Sequence, residues 1–221
     1  MLKRGIVIAG MFLMTGVVPA FAQGKVEVSG FLGWALADGV DGNAVIAGNG
    51  QIYDTIEPKD SMIYGFTVGV LVGEGAELGF RWAQAPTTLQ VTGTATTELG
   101  DMSINSYHGY FAYNFGEASA KMRPFVLIGL GATNFGSVTV NTGLRDFTTN
   151  GETQFSTTWG AGVKYFPAPK VGVRVAFEWT PTYIKTDTAG WWCDAYWGCY
   201  LVGNAQYSNS VQFNGGVTVR F

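Results

Sequence analysis

The sequence predicts an all-β fold, an eight-stranded antiparallel up-and-down transmembrane β-barrel. Three observations indicate it: apolar and polar residues alternate in eight segments, the connections alternate in length, and the chain is poor in charge. Charged residues make up 13% of the 221 residues and aromatic residues 14%, with 32 glycines. Soluble domains carry about 25% charged residues, so this composition favours a barrel in lipid, whose closure satisfies the backbone hydrogen bonds. The net charge of −3 disfavours nucleic acid as a partner.

The amino-terminal segment has the pattern of a secretory signal peptide. Two basic residues precede an apolar stretch, and the chain then reads Ala-Phe-Ala, a small-x-small cleavage pattern. The apolar stretch is too short to span a bilayer comfortably as a helix. We therefore expect a signal peptide at residues 1–22, cleavage between Ala22 and Gln23, and one barrel domain at residues 23–221.

Eight segments alternate with period 2, which is typical of strands that have one face in lipid. In the third, an apolar row from Ala76 to Trp82 alternates with a row that contains Glu77 and Arg81. None of the eight apolar rows contains a charged residue. The predicted strands span residues 25–36, 61–72, 76–85, 102–115, 124–135, 153–166, 171–181 and 207–221.

The last strand ends the chain on an aromatic residue. Every second residue from Val211 to Phe221 is apolar or glycine, and most of the residues between them are polar. The run Gly216-x-x-Val219-x-Phe221 also resembles the carboxy-terminal signal by which outer-membrane barrels are recognised for insertion. We expect this strand to close the barrel against the first strand.

The connections alternate between long and short. A chain that crosses a membrane on every strand places successive connections on opposite sides, and outer-membrane barrels have short periplasmic turns and longer extracellular loops. This alternation predicts periplasmic termini and extracellular long loops. The short connections are 73–75, 116–123 and 167–170, and the long ones are 37–60, 86–101, 136–152 and 182–206.

The fourth and fifth strands carry motifs of a known family. The fourth ends in Tyr-Asn-Phe at residues 113–115, and the fifth reads Arg-Pro-Phe-Val-Leu-Ile-Gly-Leu-Gly at residues 123–131. From about residue 25 to 221, the chain resembles the eight-stranded outer-membrane β-barrel proteins, which include opacity-like surface antigens and the transmembrane domain of outer membrane protein A. Phe125 replaces the family's usual Tyr, and Leu127 replaces one of its usual glycines. The resemblance implies the outer membrane of a Gram-negative bacterium, with outer-membrane lipid, lipopolysaccharide and the barrel assembly machinery as partners.

Charged residues on the inward rows are of mixed sign. An eight-stranded barrel is only wide enough for side chains to fill its interior, and buried charges must be paired. We expect Glu27 to meet Arg220 where the first and last strands join. Strands three and seven lie opposite each other, which predicts the pairs Glu77–Arg174 and Arg81–Glu178 unless partners on adjacent strands intervene. The predicted lumen network comprises Glu27, Glu77, Arg81, Lys164, Arg174, Glu178 and Arg220. Because many inward residues are glycines, a narrow pore stays an alternative.

Candidates for catalysis are few. His108 is the only histidine, and Ser106 lies two residues before it on the same row. The resemblance includes lipid A-modifying barrels that use Ser, His and an acidic residue, but those groups face lipid, whereas this row faces the lumen. We therefore expect an interior histidine, no catalytic residue and no cofactor.

Two cysteines lie in the fourth long loop. Cys193 and Cys199 fall within an aromatic-rich run at residues 191–200. An even cysteine count in an exported chain indicates a disulfide, and metal binding by two thiols without a nearby histidine is the weaker interpretation. The disulfide would hold the aromatic residues either as a contact surface or as a lid over the barrel mouth.

These observations predict a monomeric, non-enzymatic envelope component whose extracellular loops bind a ligand or mediate adhesion. The alternatives are a lipid A-modifying hydrolase and a small-solute pore. We expect no metal site.

Overall fold

The computed structural model describes residues 26–46, 52–117, 119–141, 146–148, 150–184, 193–194, 198–199 and 206–221. The expected signal peptide and the cleavage point between Ala22 and Gln23 lie outside these residues. Within the described ranges there is no helix long and apolar enough to cross a membrane.

Strands make up almost all of the described chain. In chain order they are β1 (Val26–Ala37), β2 (Val40–Ile46), β3 (Ile52–Pro58), β4 (Ser61–Leu71), β5 (Ala76–Gly93), β6 (Thr96–Asn114), β7 (Met122–Phe135), β8 (Thr139–Asn141), β9 (Asp146–Thr148), β10 (Glu152–Tyr165), β11 (Val171–Ile184), β12 (Cys193–Asp194), β13 (Gly198–Cys199) and β14 (Gln206–Arg220).

Eight of these strands close into an antiparallel barrel. Around the ring they follow the order β1, β4, β5, β6, β7, β10, β11 and β14, and β14 pairs with β1. At this seam Glu27 lies opposite Arg220 and Ala37 opposite Ser210. The closed eight-stranded barrel confirms the predicted fold class, and each predicted span falls on a different barrel strand.

The long connections contain more strand than predicted. β5 continues to Gly93 and β6 begins at Thr96, so the interpretation of residues 86–101 as a loop was wrong. Here Leu89 and Val91 still face inward, whereas Gln90 and Thr92 face outward and donate to Glu57 of β3 at 2.8 Å. Beyond the membrane the outward row meets water, so it no longer needs apolar residues, and the pattern that identified the strands changes.

The remaining long connections also form hairpins. β2 and β3 lie between residues 37 and 60, and β3 pairs with the part of β5 beyond the membrane-facing segment. β8 pairs with β9, and β12 pairs with β13. The barrel wall therefore extends past the lipid-facing band at the end that carries the long connections, here called the long-loop end.

The outer surface of the barrel is a band of exposed apolar side chains. Leu32, Val175 and Leu130 are each more than 60% exposed. Aromatic residues pack against each other across strands on this face, as Phe177 does on Phe213 at 5.1 Å between ring centroids. An outward apolar band with a polar interior is the arrangement of a barrel in lipid.

Glycines inside the barrel make room for large rings. Phe31 lies opposite Gly65 on one neighbouring strand and opposite Gly216 on the other. Tyr110 has Gly79 and Gly129 in the same two positions. At these four inward glycines, aromatic rings occupy the space that a side chain would take.

A side chain at these glycines would meet the rings directly. A Cβ atom on Gly79 would lie 2.5 Å from Cζ of Tyr110 and still closer to the backbone carbonyl of Val68. A Cβ atom on Gly65 would lie 2.8 Å from Cζ of Phe31 and still closer to the backbone carbonyl of Trp82. Both distances are shorter than real Cβ contacts. Close packing thus places ring and glycine side by side along the strand ladder.

Candidate functional site

The lumen is organised around three buried carboxylates, the first of which is Glu27. Its Oε1 accepts hydrogen bonds from Nη2 and Nε of Arg220, at 2.7 and 3.0 Å, and its Oε2 lies 2.6 Å from Nζ of Lys164. Arg123 Nη1 donates to the same carboxylate at 3.3 Å. The structure thus contains the ion pair expected at the seam, and two further cations surround it.

Glu77 is the second carboxylate. It pairs with Lys164, whose Nζ lies 2.6 Å from Oε2, and it accepts hydrogen bonds from the Tyr110 hydroxyl at 2.7 Å and the Asn114 amide at 3.0 Å. Lys164 bridges Glu27 and Glu77. The predicted pair between Glu77 and Arg174 was wrong, because a lysine on the strand next to that of Arg174 reaches Glu77 first.

Glu178 is the third carboxylate and joins two arginines. Arg81 Nη2 lies 2.7 Å from Oε2 of Glu178, and Arg174 Nη2 donates to Oε1 at 2.6 Å. Arg174 belongs to the same strand as Glu178, four residues earlier, so its side chain reaches along β11 rather than across the lumen. Arg81 also donates to Oε1 of Gln212 at 2.7 Å. This layer connects β5 with β11 and β14 through the lumen.

Arg123 was missed from the sequence. It is fully buried and pairs with Glu27, yet the predicted strand began one residue later. Its period-2 relation to Phe125 and Leu127 is the signal that could have revealed it, since all three belong to the same inward row.

Phenylalanine rings inside the lumen cover the faces of the guanidinium groups. Arg81 lies over Phe31 at 5.1 Å from the ring centroid, and Arg174 lies over Phe125 at 5.0 Å. Such contacts stabilise a cation in a desolvated site. Phe125, which replaces the family's usual Tyr, therefore packs in the lumen against charged side chains.

The described lumen holds more positive than negative side chains. Five cations face three carboxylates, and each carboxylate contacts at least one cation within 2.7 Å. The cationic side chains are Arg81, Arg123, Lys164, Arg174 and Arg220. This charged network joins strands on opposite sides of the ring.

His108 pairs with a serine that sequence reasoning did not identify. Its Nε2 lies 2.9 Å from Oγ of Ser156, which accepts from Thr133 at 2.9 Å. Gly131 lies between His108 and Ser156 in the strand ladder, and its missing side chain lets the imidazole reach across. Ser106 faces the lumen too, but the serine bonded to the histidine is Ser156.

The barrel encloses His108 and its serine partner. His108 and Ser156 have no solvent exposure, so a lipid could not reach them from outside. Their further partners are hydroxyl groups rather than carboxylates. Among the described residues, no three His, Cys, Asp or Glu side chains converge as metal ligands.

The residues of the expected insertion signal lie on β14 and just beyond it. Gly216 faces the lumen beside Phe31, Val219 lies opposite Val28 at the seam, and Phe221 is exposed. The Phe221 amide donates to the Val26 carbonyl at 2.9 Å, which ties the chain end to β1.

The cysteine residues lie opposite each other in a short hairpin. The register of β12 and β13 pairs Cys193 with Cys199 across one strand ladder. The backbone therefore brings the two positions together, and the disulfide itself stays a prediction.

Most of the charged residues in two of the long connections are acidic. Residues 38–60 and 87–101 contain seven carboxylates and one lysine. That lysine, Lys59, donates to Glu98 at 2.8 Å, and this hydrogen bond raises the pKa of Lys59. These two connections therefore carry an excess of negative charge.

Comparisons with known proteins identify the family. The family model of the outer membrane protein beta-barrel domain matches residues 7–221. Among solved structures, the outer membrane protein OprG from Pseudomonas aeruginosa is 13% identical with a TM-score of 0.64, over 90% of this chain and 96% of that chain. Neisserial surface protein A is 13% identical with a TM-score of 0.53, over 90% and 97%. The comparison with curated sequences gives no match.

At such identities the structural likeness shows the fold, whereas the family match covers nearly the whole chain. The lipid-facing band, the closed ring and the charged lumen agree with that match. The chain therefore belongs to the outer membrane protein beta-barrel family, whose members reside in the outer membrane of Gram-negative bacteria.

Proposed function

We propose that this protein is a non-conducting, non-enzymatic component of the outer membrane whose long-loop hairpins are extracellular and form a binding surface. The observation that carries the proposal is the ion-pair network of the lumen. Arg81 and Glu178 meet at 2.7 Å from strands on opposite sides of the ring, with a second layer around Glu27 and Glu77. A lumen filled in this way favours a scaffold over a pore.

The buried position of His108 argues against the hydrolase alternative. A lipid A-modifying site needs a nucleophile and a base that a lipid can reach, and hydrogen-bonded groups aligned with the scissile bond. The pair of His108 and Ser156 is closed inside the barrel.

The acidic hairpins indicate the chemistry of the partner. Carboxylates that outnumber lysine seven to one between residues 38–60 and 87–101 attract a cationic surface and repel an anionic one. We infer that the partner presents basic groups to these hairpins and that binding weakens as salt screens the charges.

Two measurements test the proposal on the refolded wild-type protein. In a planar bilayer we expect no steady conductance, and lipid A from cells that express the protein should keep all of its acyl chains. Steady conductance would support the pore, and loss of an acyl chain would support the enzyme. A third measurement compares binding of a basic and an acidic peptide to the bilayer-embedded protein. Equal binding of the two peptides would contradict the charge argument.

A further inference from the structure

An open groove marks the lipid-facing wall of the barrel where β10, β11 and β14 run side by side. Its volume is about 470 Å³. In the strand ladders Val175 lies between Val163 and Gly215, so the groove crosses three neighbouring strands. Its outward-facing lining residues are Ala161, Val163, Val175, Phe177, Phe213 and Gly215.

The barrel itself does not require a glycine at position 215. Among the described residues, the one heavy atom within 4 Å of a Cβ atom there is the Arg174 carbonyl oxygen, at 3.8 Å. Gly162 faces the lumen from β10 and differs, because a Cβ atom there would lie 2.8 Å from the Phe125 ring. The φ angle of Gly215 is not positive. A glycine within a strand costs stability and often marks the close approach of a ligand. Gly215 therefore indicates an occupant on the lipid side of the wall.

The size of the groove suits one acyl chain. A methylene group needs roughly the volume of a water molecule, about 30 Å³, so the groove has room for about fifteen of them. The rings of Phe177 and Phe213, with 5.1 Å between their centroids, border it towards the long-loop end. Within a bilayer, a chain gains from such a groove through close van der Waals contact, since the surrounding lipid is equally apolar.

Two exposed lysines lie at the opposite end of the strands that form the groove. Lys170 directly precedes β11, and its carbonyl accepts a hydrogen bond from the Arg220 amide of β14 at 2.8 Å. The Lys121 carbonyl accepts one from the Phe166 amide, just after β10, at 2.7 Å. Both lysines are therefore held beside the ends of the three strands.

The charge of these lysines favours an anionic head group. Among the described residues, no carboxylate lies within ion-pair distance of either side chain. The short connections that contain Lys121 and Lys170 carry one carboxylate, Glu117. Lys170 precedes Val175 by five residues, which is about 16 Å along a strand. A phospholipid spans such a distance between its phosphate and the middle of its acyl chain.

We propose that this groove binds one acyl chain of an anionic phospholipid whose phosphate pairs with Lys170. The chain runs along β11, lies over Gly215 and ends at the rings of Phe177 and Phe213. This site goes beyond the proposed surface role, because it lies on the lipid-facing wall and depends neither on the hairpin partner nor on a closed lumen.

The test uses the full protein in lipid bilayers and two photoreactive lipids with the same acyl chains. Each carries a diazirine at the middle of one chain; one is phosphatidylglycerol, and the other is phosphatidylcholine, whose head group has no net charge. After illumination, labelled residues are mapped by mass spectrometry. We expect phosphatidylglycerol to label Val175 and Phe213 more than Leu78, which is exposed on β5 at the opposite side of the ring. It should label Val175 about fivefold more than phosphatidylcholine does, the effect of one lysine near an anionic head. Equal labelling of the three residues, or by the two lipids, would overturn the proposal.

A matched pair of variants ties the labelling to the groove. Gly215→Leu fills the groove, whereas Gly109→Leu adds the same side chain at an outward glycine of β6. A Cβ atom at Gly109 meets the Leu130 carbonyl oxygen at 3.9 Å, an ordinary contact. We expect Gly215→Leu to lower the labelling of Val175 to the level of Leu78, and Gly109→Leu to leave it unchanged. Equal effects of the two substitutions would contradict the site.

Two further variants separate the head group from the chain. Lys170→Gln should keep the chain in the groove and bring the labelling of Val175 by the two lipids close to equal. Ala161→Leu narrows the groove from β10 and replaces Gly215→Leu if that variant does not fold. Unchanged labelling in a folded groove variant would refute the proposal. Absence of label from Val175 in the wild-type protein, together with a dimeric mass in native mass spectrometry, would assign the groove to a second copy instead.

Discussion

Arg81 on β5 and Glu178 on β11 meet across the lumen with 2.7 Å between Nη2 and Oε2, although their strands lie on opposite sides of the ring. Both side chains are fully buried. Among the described residues, Arg174 supplies the only other cation within 4 Å of Glu178. The stability of the barrel and the resistance of its lumen to ion flow should therefore both depend on the pair of Arg81 and Glu178.

Arg81→Ala is expected to destabilise the barrel by about 3 kcal/mol, because Glu178 stays buried with one cation instead of two. The same change should allow water and ions to pass. Urea unfolding of the protein in bilayers measures the first effect, and planar-bilayer conductance measures the second. Lys59→Ala removes an exposed ion pair and serves as the control, with no measurable change expected in either quantity. Wild-type stability and no gain in conductance would mean that Arg81 does not close the lumen.

The pair of Glu27 and Arg220 should couple the first and last strands energetically. A double-mutant cycle with Glu27→Gln and Arg220→Gln is expected to give a coupling free energy above about 1 kcal/mol, the upper range for exposed pairs. The pair is buried and its carboxylate accepts two hydrogen bonds from one guanidinium, so water screens it little. The cycle of Lys59 and Glu98 is the comparison. Coupling no larger than in that exposed cycle would count against a role in closure.

Gly79 and Gly30 offer a direct test of ring packing in the lumen. Gly79→Ala should cost about 1–3 kcal/mol, because its Cβ would lie 2.5 Å from Tyr110 Cζ and against the Val68 backbone carbonyl, so that the ring and the strand both have to move. Gly30→Ala should not destabilise the barrel, since a Cβ there has no heavy atom within 4 Å. Both free energies of unfolding are measured in the same bilayer. Equal effects of the two substitutions would show that the rings do not explain the inward glycines.

The cysteines should form a disulfide in the exported protein. Denaturation without reductant followed by alkylation is expected to leave Cys193 and Cys199 unmodified, and reduction should make both reactive. The motivation is their opposite placement in the hairpin of β12 and β13. Two alkylated thiols before reduction would refute this prediction.

The orientation of the barrel can be tested on intact cells. In a variant that lacks the native cysteines, Thr94→Cys at the tip of the β5–β6 hairpin should react with an impermeant maleimide. Ala168→Cys, in the short connection between β10 and β11, should react only after the outer membrane is opened. The expectation follows from long extracellular loops and short periplasmic turns. Labelling of position 168 from outside would reverse the orientation.

Period 2 in the sequence determined which residues face lipid and which face the lumen. All seven predicted lumen charges are buried, since alternation along a strand is a local property that needs no knowledge of the neighbours. The eight membrane-crossing strands followed for the same reason. Arg123 was missed because β7 begins at Met122, two residues before the predicted start of the strand.

The partners within the lumen were decided by the tertiary structure. Glu77 binds Lys164 instead of Arg174, and His108 binds Ser156 instead of its sequence neighbour. These choices depend on the tilt and stagger of the ring, which set the depth of each residue, and on how far each side chain reaches. Counting along single strands does not provide either quantity.

The length of the barrel wall beyond the membrane was also determined by the tertiary structure. Lipid requires an apolar outward row, and the eight strands could be recognised by it. In the part of the wall beyond the lipid, the outward residues Gln90 and Thr92 can be polar because they face water. The inward residues Leu89 and Val91 are buried by strands that are distant in sequence. Local alternation therefore identified the part of each strand that faces lipid. How far each strand continues beyond the lipid was determined by packing in the assembled barrel.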